Sequence, residues 1–306
     1  MRFLGRVWLY LGERQPLPTT ILFPTTYFYC VFSFYSVITQ SYIFPPLSLW
    51  YVLVTAILFN MTFWVNDDIK DELFDRTHNP QRAVVRGAVK YSDLKLLSLI
   101  SFIVMIAINF DRGFITSVFL IWLSILAFWL HSYYFPEILE KHYPLSISTG
   151  GHPMLIVGNI YFFEAFRATS PDIVVPIPVV IVISVVFALP VFAWEIARKT
   201  RAIEEETEFP TYSLKWGTLR AILVPIIYYI ISSSLLASLG FIFNFSVYFI
   251  IAELLLGLFV IILFLRFLLK PNAQRNVLKR ASETYDIMSK LAVIAELATL
   301  AATRGA

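Results

Sequence analysis

The sequence predicts an all-α protein, a polytopic membrane helix bundle with about nine transmembrane helices. Three observations carry that expectation. Of 306 residues, 58% are hydrophobic and only 15% are charged, against about 25% charged in soluble domains. So apolar a chain cannot hide its surplus in a soluble core, because a water-facing surface must still be covered with polar groups. The apolar residues also fall in runs of the roughly 20 residues that a spanning helix needs. Finally, the basic residues gather at the ends of alternate runs.

Eight runs qualify, at 19–41, 45–65, 93–110, 113–135, 146–168, 174–196, 217–239 and 242–268. A ninth, at 286–303, is alanine-rich and carries Lys290 and Glu296, so it either spans or lies in the interface. No soluble domain fits between the runs, which makes residues 1–306 a single membrane-embedded domain. The first 18 residues hold Arg2, Arg6, Glu13, Arg14 and two prolines and lack a compact apolar stretch. That pattern excludes a cleaved signal peptide. Phe3–Leu11 reads instead as an amphipathic lead-in lying in the membrane interface. The one cysteine, Cys30, can form no intramolecular disulfide. Pro178, Pro190 and Pro225 interrupt apolar runs and predict kinked helices. Such kinks fit either irregular packing or a cavity whose water satisfies the freed carbonyls.

A net charge of +3 is too small to imply a nucleic-acid partner; the basic residues matter by their placement. With the N-terminus inside, 20 of the 24 Lys and Arg residues fall in inside segments. The outside loops between the first eight spans hold only Arg112 and Arg167. Such a bias sets topology, and it puts residues 67–90 and 195–216 on the cytoplasmic side.

The richest stretch for chemistry is Asn66-Asp67-Asp68-Ile69-Lys70-Asp71-Glu72-Leu73-Phe74-Asp75, at the inside end of the second span. On a helix Asp67, Asp71 and Asp75 recur at i, i+4 and i+8 and share a face, with Asp68 and Glu72 in a row beside them. Like charges at i, i+4 repel by a few tenths of a kcal/mol per pair, a cost that a bound cation would remove. Hard carboxylate oxygens of this kind suit Mg²⁺, which binds through one or two carboxylates plus substrate phosphates. The plainer alternative is a solvated acidic turn at the membrane edge. After the carboxylates come Asn79-Pro80-Gln81-Arg82 and Arg86-Gly87. Pro80 ends the helix, and Arg82 and Arg86 can aim guanidinium forks at an anion or simply anchor the topology.

The run Asp68-x-x-Asp71-x-x-x-Asp75-x-x-x-Asn79-Pro80-x-Arg82-x-x-x-x-Gly87 resembles the first aspartate-rich motif of the UbiA superfamily of intramembrane prenyltransferases. The family form opens on Asn-Asp, where this chain has Asp67-Asp68. A second family motif falls at the inside end of the sixth span. Here that place holds Glu195, Arg198 and Lys199, with Glu204-Glu205-Glu206 after it and a Thr211…Gly217 pair that resembles the family's. Where the family has a carboxylate four residues on, this chain has Lys199. Two options stay open: Lys199 contacts phosphate directly, or Glu204 reaches in from the loop.

The resemblance implies helices around a central cavity, with carboxylates of spans two and six facing each other at its cytoplasmic mouth. It implies a prenyltransferase, an enzyme that moves an isoprenyl group from an isoprenyl diphosphate to a hydrophobic or aromatic acceptor, with Mg²⁺ as cofactor and lipids as surroundings. Asp67, Asp68, Asp71, Asp75 and Glu195 would be metal ligands. Asp71, Asp75, Glu195 and Lys199 would be catalytic, and Arg82, Arg86 and Arg198 would bind substrate. His131 and Tyr134 at the end of span four and His152 at the start of span five are candidates to orient the acceptor, against the plainer reading of an interfacial aromatic belt. The site would face the cytoplasm from the cell's inner membrane. Rival readings are a terpene cyclase of the same fold, a transferase using another phosphorylated donor, and a transporter or non-catalytic protein. A transporter would place ionisable groups near mid-membrane; here nearly all lie at one face. Glu253, inside span eight, either faces the cavity or is bonded to a Tyr or Ser of span seven.

Overall fold

A computed structural model describes residues 2–14, 17–132, 153–206 and 211–304. Among them are twelve α-helices, three short 3₁₀ turns and no strand. The helices are α1 (Phe3–Arg14), α2 (Leu17–Ile38), α3 (Trp50–Lys70), α4 (Glu72–His78), α5 (Tyr91–Asn109) and α6 (Phe114–Ser132). They continue as α7 (Pro153–Thr169), α8 (Ile177–Arg198), α9 (Tyr212–Trp216), α10 (Thr218–Ile242), α11 (Val247–Leu269) and α12 (Leu278–Arg304).

Six of these are long and apolar enough to cross a membrane: Thr20–Ile38, Leu47–Lys70, Tyr91–Asn109, Ile177–Arg198, Thr218–Ile242 and Val247–Leu269. Together they make the chain an integral membrane protein. The expected nine is therefore an approximate count. The runs at 113–135 and 146–168 correspond to α6 and to α7, which has 17 residues. The ninth run lies within α12, whose 27 residues include buried Asp286, Lys290 and Glu296. Of the three prolines, Pro190 and Pro225 lie inside helices, as does Pro24, but Pro178 is the second residue of α8. There its fixed φ and missing N–H suit a helix start, so it kinks nothing.

The chain forms two compact units, Met1–Tyr29 with Pro45–Pro136 and Cys30–Phe44 with Glu137–Ala306. In the first, α3 packs along α5 and α1 lies against α5. Polar side chains stitch α3 to α5 within their apolar faces. Asn109 Nδ2 donates to Thr55 Oγ1 at 2.7 Å, and Asn66 Nδ2 donates to Ser98 Oγ at 2.8 Å. A small core of Tyr10, Met61, Val65, Ala83, Val84, Val89 and Leu94 sits beneath the acidic stretch. It joins α1, the end of α3, the loop after α4 and the start of α5.

In the second unit α10 and α11 form the tightest pair, flanked by α8 and α12. Gly257 permits their approach, since a Cβ there would fall 2.5 Å from Ser233 Oγ and 2.7 Å from Ser233 Cβ. Helices without a hydrophobic drive between them associate through such small-residue contacts. Glu253 is fully buried and accepts from Ser289 Oγ at 2.9 and 3.0 Å. Its partner is thus on α12, not on the helix before it. Glu296 accepts from the Ser246 backbone N–H at 2.5 Å and from its hydroxyl at 2.6 Å, fixing α12 to the start of α11. These buried acids hold α12 by hydrogen bonds, which explains why a helix of low mean hydropathy packs inside this unit.

Candidate functional site

The acidic stretch does not continue as one straight helix. α3 ends at Lys70, Asp71 adopts ψ 8°, and α4 begins at Glu72. By burial the carboxylates fall into two sets. Asp68 and Asp75 turn inward and are buried, whereas Asp67 and Asp71 stay partly open, at 24% and 37% side-chain exposure. Along the row Asp67, Asp71 and Asp75 the exposure thus falls away at the last residue, while the i→i+4 backbone bonds from Asp71 to Asp67 and from Asp75 to Asp71 persist.

The inward set is matched by arginines. Asp68 receives a fork from Arg14, Nε at 3.0 Å and Nη2 at 2.5 Å, and the Tyr10 hydroxyl at 2.6 Å. Burial and the Asp68 charge push the Tyr10 phenol well above its ordinary pKa, so it remains a donor. Asp75 pairs with Arg82 and accepts from Asn79 Nδ2 at 2.8 Å. Arg82 also lies 3.8 Å from Asp68, which links the two buried acids. Arg86 does not join them; its guanidinium donates to Glu13 at 2.9 Å. Unpaired charge buried this deeply is strongly disfavoured, so the arginines are a condition of folding the stretch this way.

The open set converges on one cation. Lys70 Nζ lies 2.9 Å from Asp67 Oδ1 and 3.3 Å from Asp71 Oδ1. Burial, followed by the Asp67 charge, raises the Asp71 carboxyl above its ordinary pKa. Two hard carboxylates already closed around one ammonium form a donor pair that fits Mg²⁺, which needs only one or two from protein. No group of three or more His, Cys, Asp or Glu positioned to hold a metal occurs among the described residues.

In the second unit Glu195, 7% exposed, closes α8. It accepts a fork from Arg198, Nε at 2.5 Å and Nη2 at 2.9 Å, and lies 2.9 Å from Lys199 Nζ. Arg198 also sits over the Trp194 ring at 5.2 Å. Tyr212 packs nearby, its phenol held protonated by burial and by the Glu195 charge. Thr211 caps α9, accepting from Leu214 N–H at 3.2 Å, and Gly217 at φ 77° makes the turn into α10 that a side chain would strain. Glu204 is engaged elsewhere, accepting the Ala273 N–H at 2.6 Å. Tyr134 and His152 lie outside the described residues, as does the side chain of His131.

Missing from the sequence-based reading is the part played by α1. Arg6, Tyr10, Glu13 and Arg14 lie at i, i+4, i+7 and i+8, one polar face on a helix with Leu4 and Trp8 exposed on another. That spacing was the available signal.

A polytopic helical membrane protein with an acidic stretch at a helix end, lined by arginines, is the class these features define. The UbiA prenyltransferase family model matches residues 13–282 of the 306, and the chain belongs to that family. A solved structure concerning a digeranylgeranylglyceryl phosphate synthase in membranes is similar over 97% of this chain and 100% of its own. Its TM-score is 0.65 at 17% identity. The apo structure of a UbiA homolog from Aeropyrum pernix K1 is similar over 90% of this chain and 97% of its own, with a TM-score of 0.60 at 14% identity. At such identities the likeness speaks for the fold alone. No protein of curated function matches significantly in sequence.

Proposed function

We propose that the protein transfers an isoprenyl group from an isoprenyl diphosphate to a hydrophobic or aromatic acceptor within the membrane, with Mg²⁺ and at the cytoplasmic face of a cell's inner membrane. The observation that carries this is the open carboxylate pair, Asp67 and Asp71 about one ammonium, in a chain of the UbiA family. When bound, the metal would supply Lewis-acid charge to the diphosphate. Asp67 and Asp71 are the residues that would hold it.

The remaining roles belong to this chain's own groups. Asp68 and Asp75, tied to arginines, keep the end of α3 and the loop from Asn79 to Gly87 in place. Arg82, 22% exposed, presents positive charge beside them for a leaving anion. Lys199, in place of a second carboxylate, contacts a diphosphate oxygen through its ammonium, with Arg198 sharing the charge. The apolar helices exclude water from the allylic centre, where water would capture the cation.

Incubation of purified protein with isoprenyl diphosphates of several lengths and a membrane lipid extract, followed by mass spectrometry, tests the reading. The expected result is a prenylated lipid whose formation stops in EDTA. Diphosphate left intact with Mg²⁺ present, or turnover unaffected by EDTA, would refute it.

A further inference from the structure

The N-terminal helix does more than lead into the membrane. Its polar face makes long-range side-chain contacts to the acidic stretch, 54 and 58 residues away in sequence. Arg14 and Tyr10 together occupy both oxygens of Asp68. Glu13 takes the Ala83 N–H at 2.6 Å with one oxygen and Arg86 with the other, clasping the loop that carries Arg82. Arg6 places a fork on Asp93 at 2.6 and 2.8 Å, and Asp93 in turn accepts the Lys90 N–H at 3.0 Å at the start of α5. Tyr10 is fully buried in the core with Val65, Ala83, Val84 and Val89. Four side chains spread over two turns of α1 thus touch the end of α3, the loop after α4 and the first turn of α5.

The chemistry of those contacts is uneven. Asp68 sits one residue from Asp67 and three from Asp71, the pair proposed to hold the metal. Its carboxylate is buried and fully committed to α1 and, at longer range, to Arg82. A side chain so held fixes the rotation of the last turn of α3, and with it the direction in which Asp67 and Asp71 present their oxygens. The clasp of Glu13 fixes the backbone on either side of Arg82. On the far face Leu4 and Trp8 are 77% and 65% exposed. In a membrane interface those two find lipid, which holds α1 against the surface on which it must dock.

Resting on the proposed diphosphate chemistry, we infer that α1 is a positioning element of the acidic site: Arg14 and Tyr10 orient the carboxylate pair through Asp68, and Glu13 orients Arg82 through its loop. None of the three touches substrate. They act one contact further out than the direct hydrogen-bond partners of metal ligands, whose loss costs about 10–100-fold in metal affinity.

Two measurements on the full chain in detergent–lipid micelles test this. The first needs no substrate: a spin label at Gly5→Cys, with Cys30 buried and silent, reports whether α1 is docked. The second is thermal stabilisation by inorganic pyrophosphate as Mg²⁺ is titrated. In Arg14→Met the label should gain mobility, and the Mg²⁺ needed for half-maximal stabilisation should rise at least about tenfold. Arg14→Lys should recover part of both. Tyr10→Phe, which removes one hydrogen bond and keeps the buried ring, serves where Arg14→Met fails to fold and should raise the Mg²⁺ requirement by a smaller factor. A wild-type protein that responds to magnesium pyrophosphate while Arg14→Met and Tyr10→Phe respond identically overturns the positioning role alone. A wild-type protein that ignores magnesium pyrophosphate overturns the diphosphate reading beneath it.

Discussion

Lys199→Met separates a catalytic contact from a structural one because the structure makes the fold nearly indifferent to it. Lys199 Nζ is 2.9 Å from Glu195, but Arg198 already covers both oxygens of that carboxylate, at 2.5 and 2.9 Å. Removing the ammonium therefore leaves no orphaned acid. The Lys199 side chain is 29% exposed, and a pair in that position contributes at most about 1 kcal/mol to stability. Methionine keeps much of the stem, so packing changes little. The expected thermal midpoint falls by no more than about 4 °C. Loss of a direct contact to a diphosphate oxygen is a larger matter. It should raise the KM for isoprenyl diphosphate or lower kcat at least about tenfold, equivalent to about 1.4 kcal/mol. Lys199→Arg keeps charge but changes geometry and should retain partial activity. The assay is initial-rate conversion of labelled isoprenyl diphosphate at saturating Mg²⁺. Kinetics within twofold of wild type in Lys199→Met would refute the reasoning and leave Lys199 as an interfacial anchor that snorkels to the surface.

Other expectations follow from the same geometry. Asp71→Asn, which removes one charge from the pair around Lys70, should abolish turnover while the protein remains extractable and folded; full activity would remove Asp71 from the site. Cysteine at Gln81 or Leu214, both exposed, should react in intact cells only with membrane-permeant reagents, and labelling by an impermeant maleimide would overturn the orientation. These positions are preferred over Gly87 and Gly217, whose φ of 77° a cysteine would strain. Gly257→Ala should lower the thermal midpoint, because its Cβ meets Ser233 at 2.5–2.7 Å and overpacking costs about 1–3 kcal/mol. Adding Ser233→Gly should restore most of the loss; an unaltered midpoint in Gly257→Ala would show that α10 and α11 do not meet as closely as described.

The spans were legible because length and hydropathy are local properties, and the six apolar helices fall on six expected runs. What escaped were features set by tertiary partners. α12 is rich in polar residues, and its burial shows only through partners: Ser289 donates to Glu253 of α11, and Glu296 accepts from Ser246. The acidic stretch was found from its spacing, and its helical face was drawn as i, i+4, i+8. Along that row burial differs, since Asp67 and Asp71 stay partly open while Asp75 is buried. Nothing in the stretch itself announces that difference. It is settled by Arg82 and Asn79, which draw Asp75 inward from seven and four residues away. The role of Arg14 lay further still: its spacing with Arg6, Tyr10 and Glu13 marks a polar face, but not that this face meets Asp68 54 residues on.

The division of cations among the four aspartates bears on which of them can exchange their partner. Arg14 holds Asp68 through a planar fork aided by Tyr10, and Arg82 holds Asp75 through one guanidinium nitrogen, aided by Asn79. To displace either arginine would leave a buried carboxylate and a guanidinium both unpaired, at a cost of about 3–5 kcal/mol. Lys70 differs in kind. Its ammonium is a point charge on a flexible stem, 32% exposed, and its two acids are themselves partly open. Its release would leave two partly open carboxylates and no fully buried one, which costs less than unpairing Asp68 or Asp75. A divalent cation arriving with a diphosphate would therefore compete with Lys70 and not with the arginines. On this argument the same sequence of alternating acids contains both a fixed frame and an exchangeable pair, and burial decides which aspartate belongs to which.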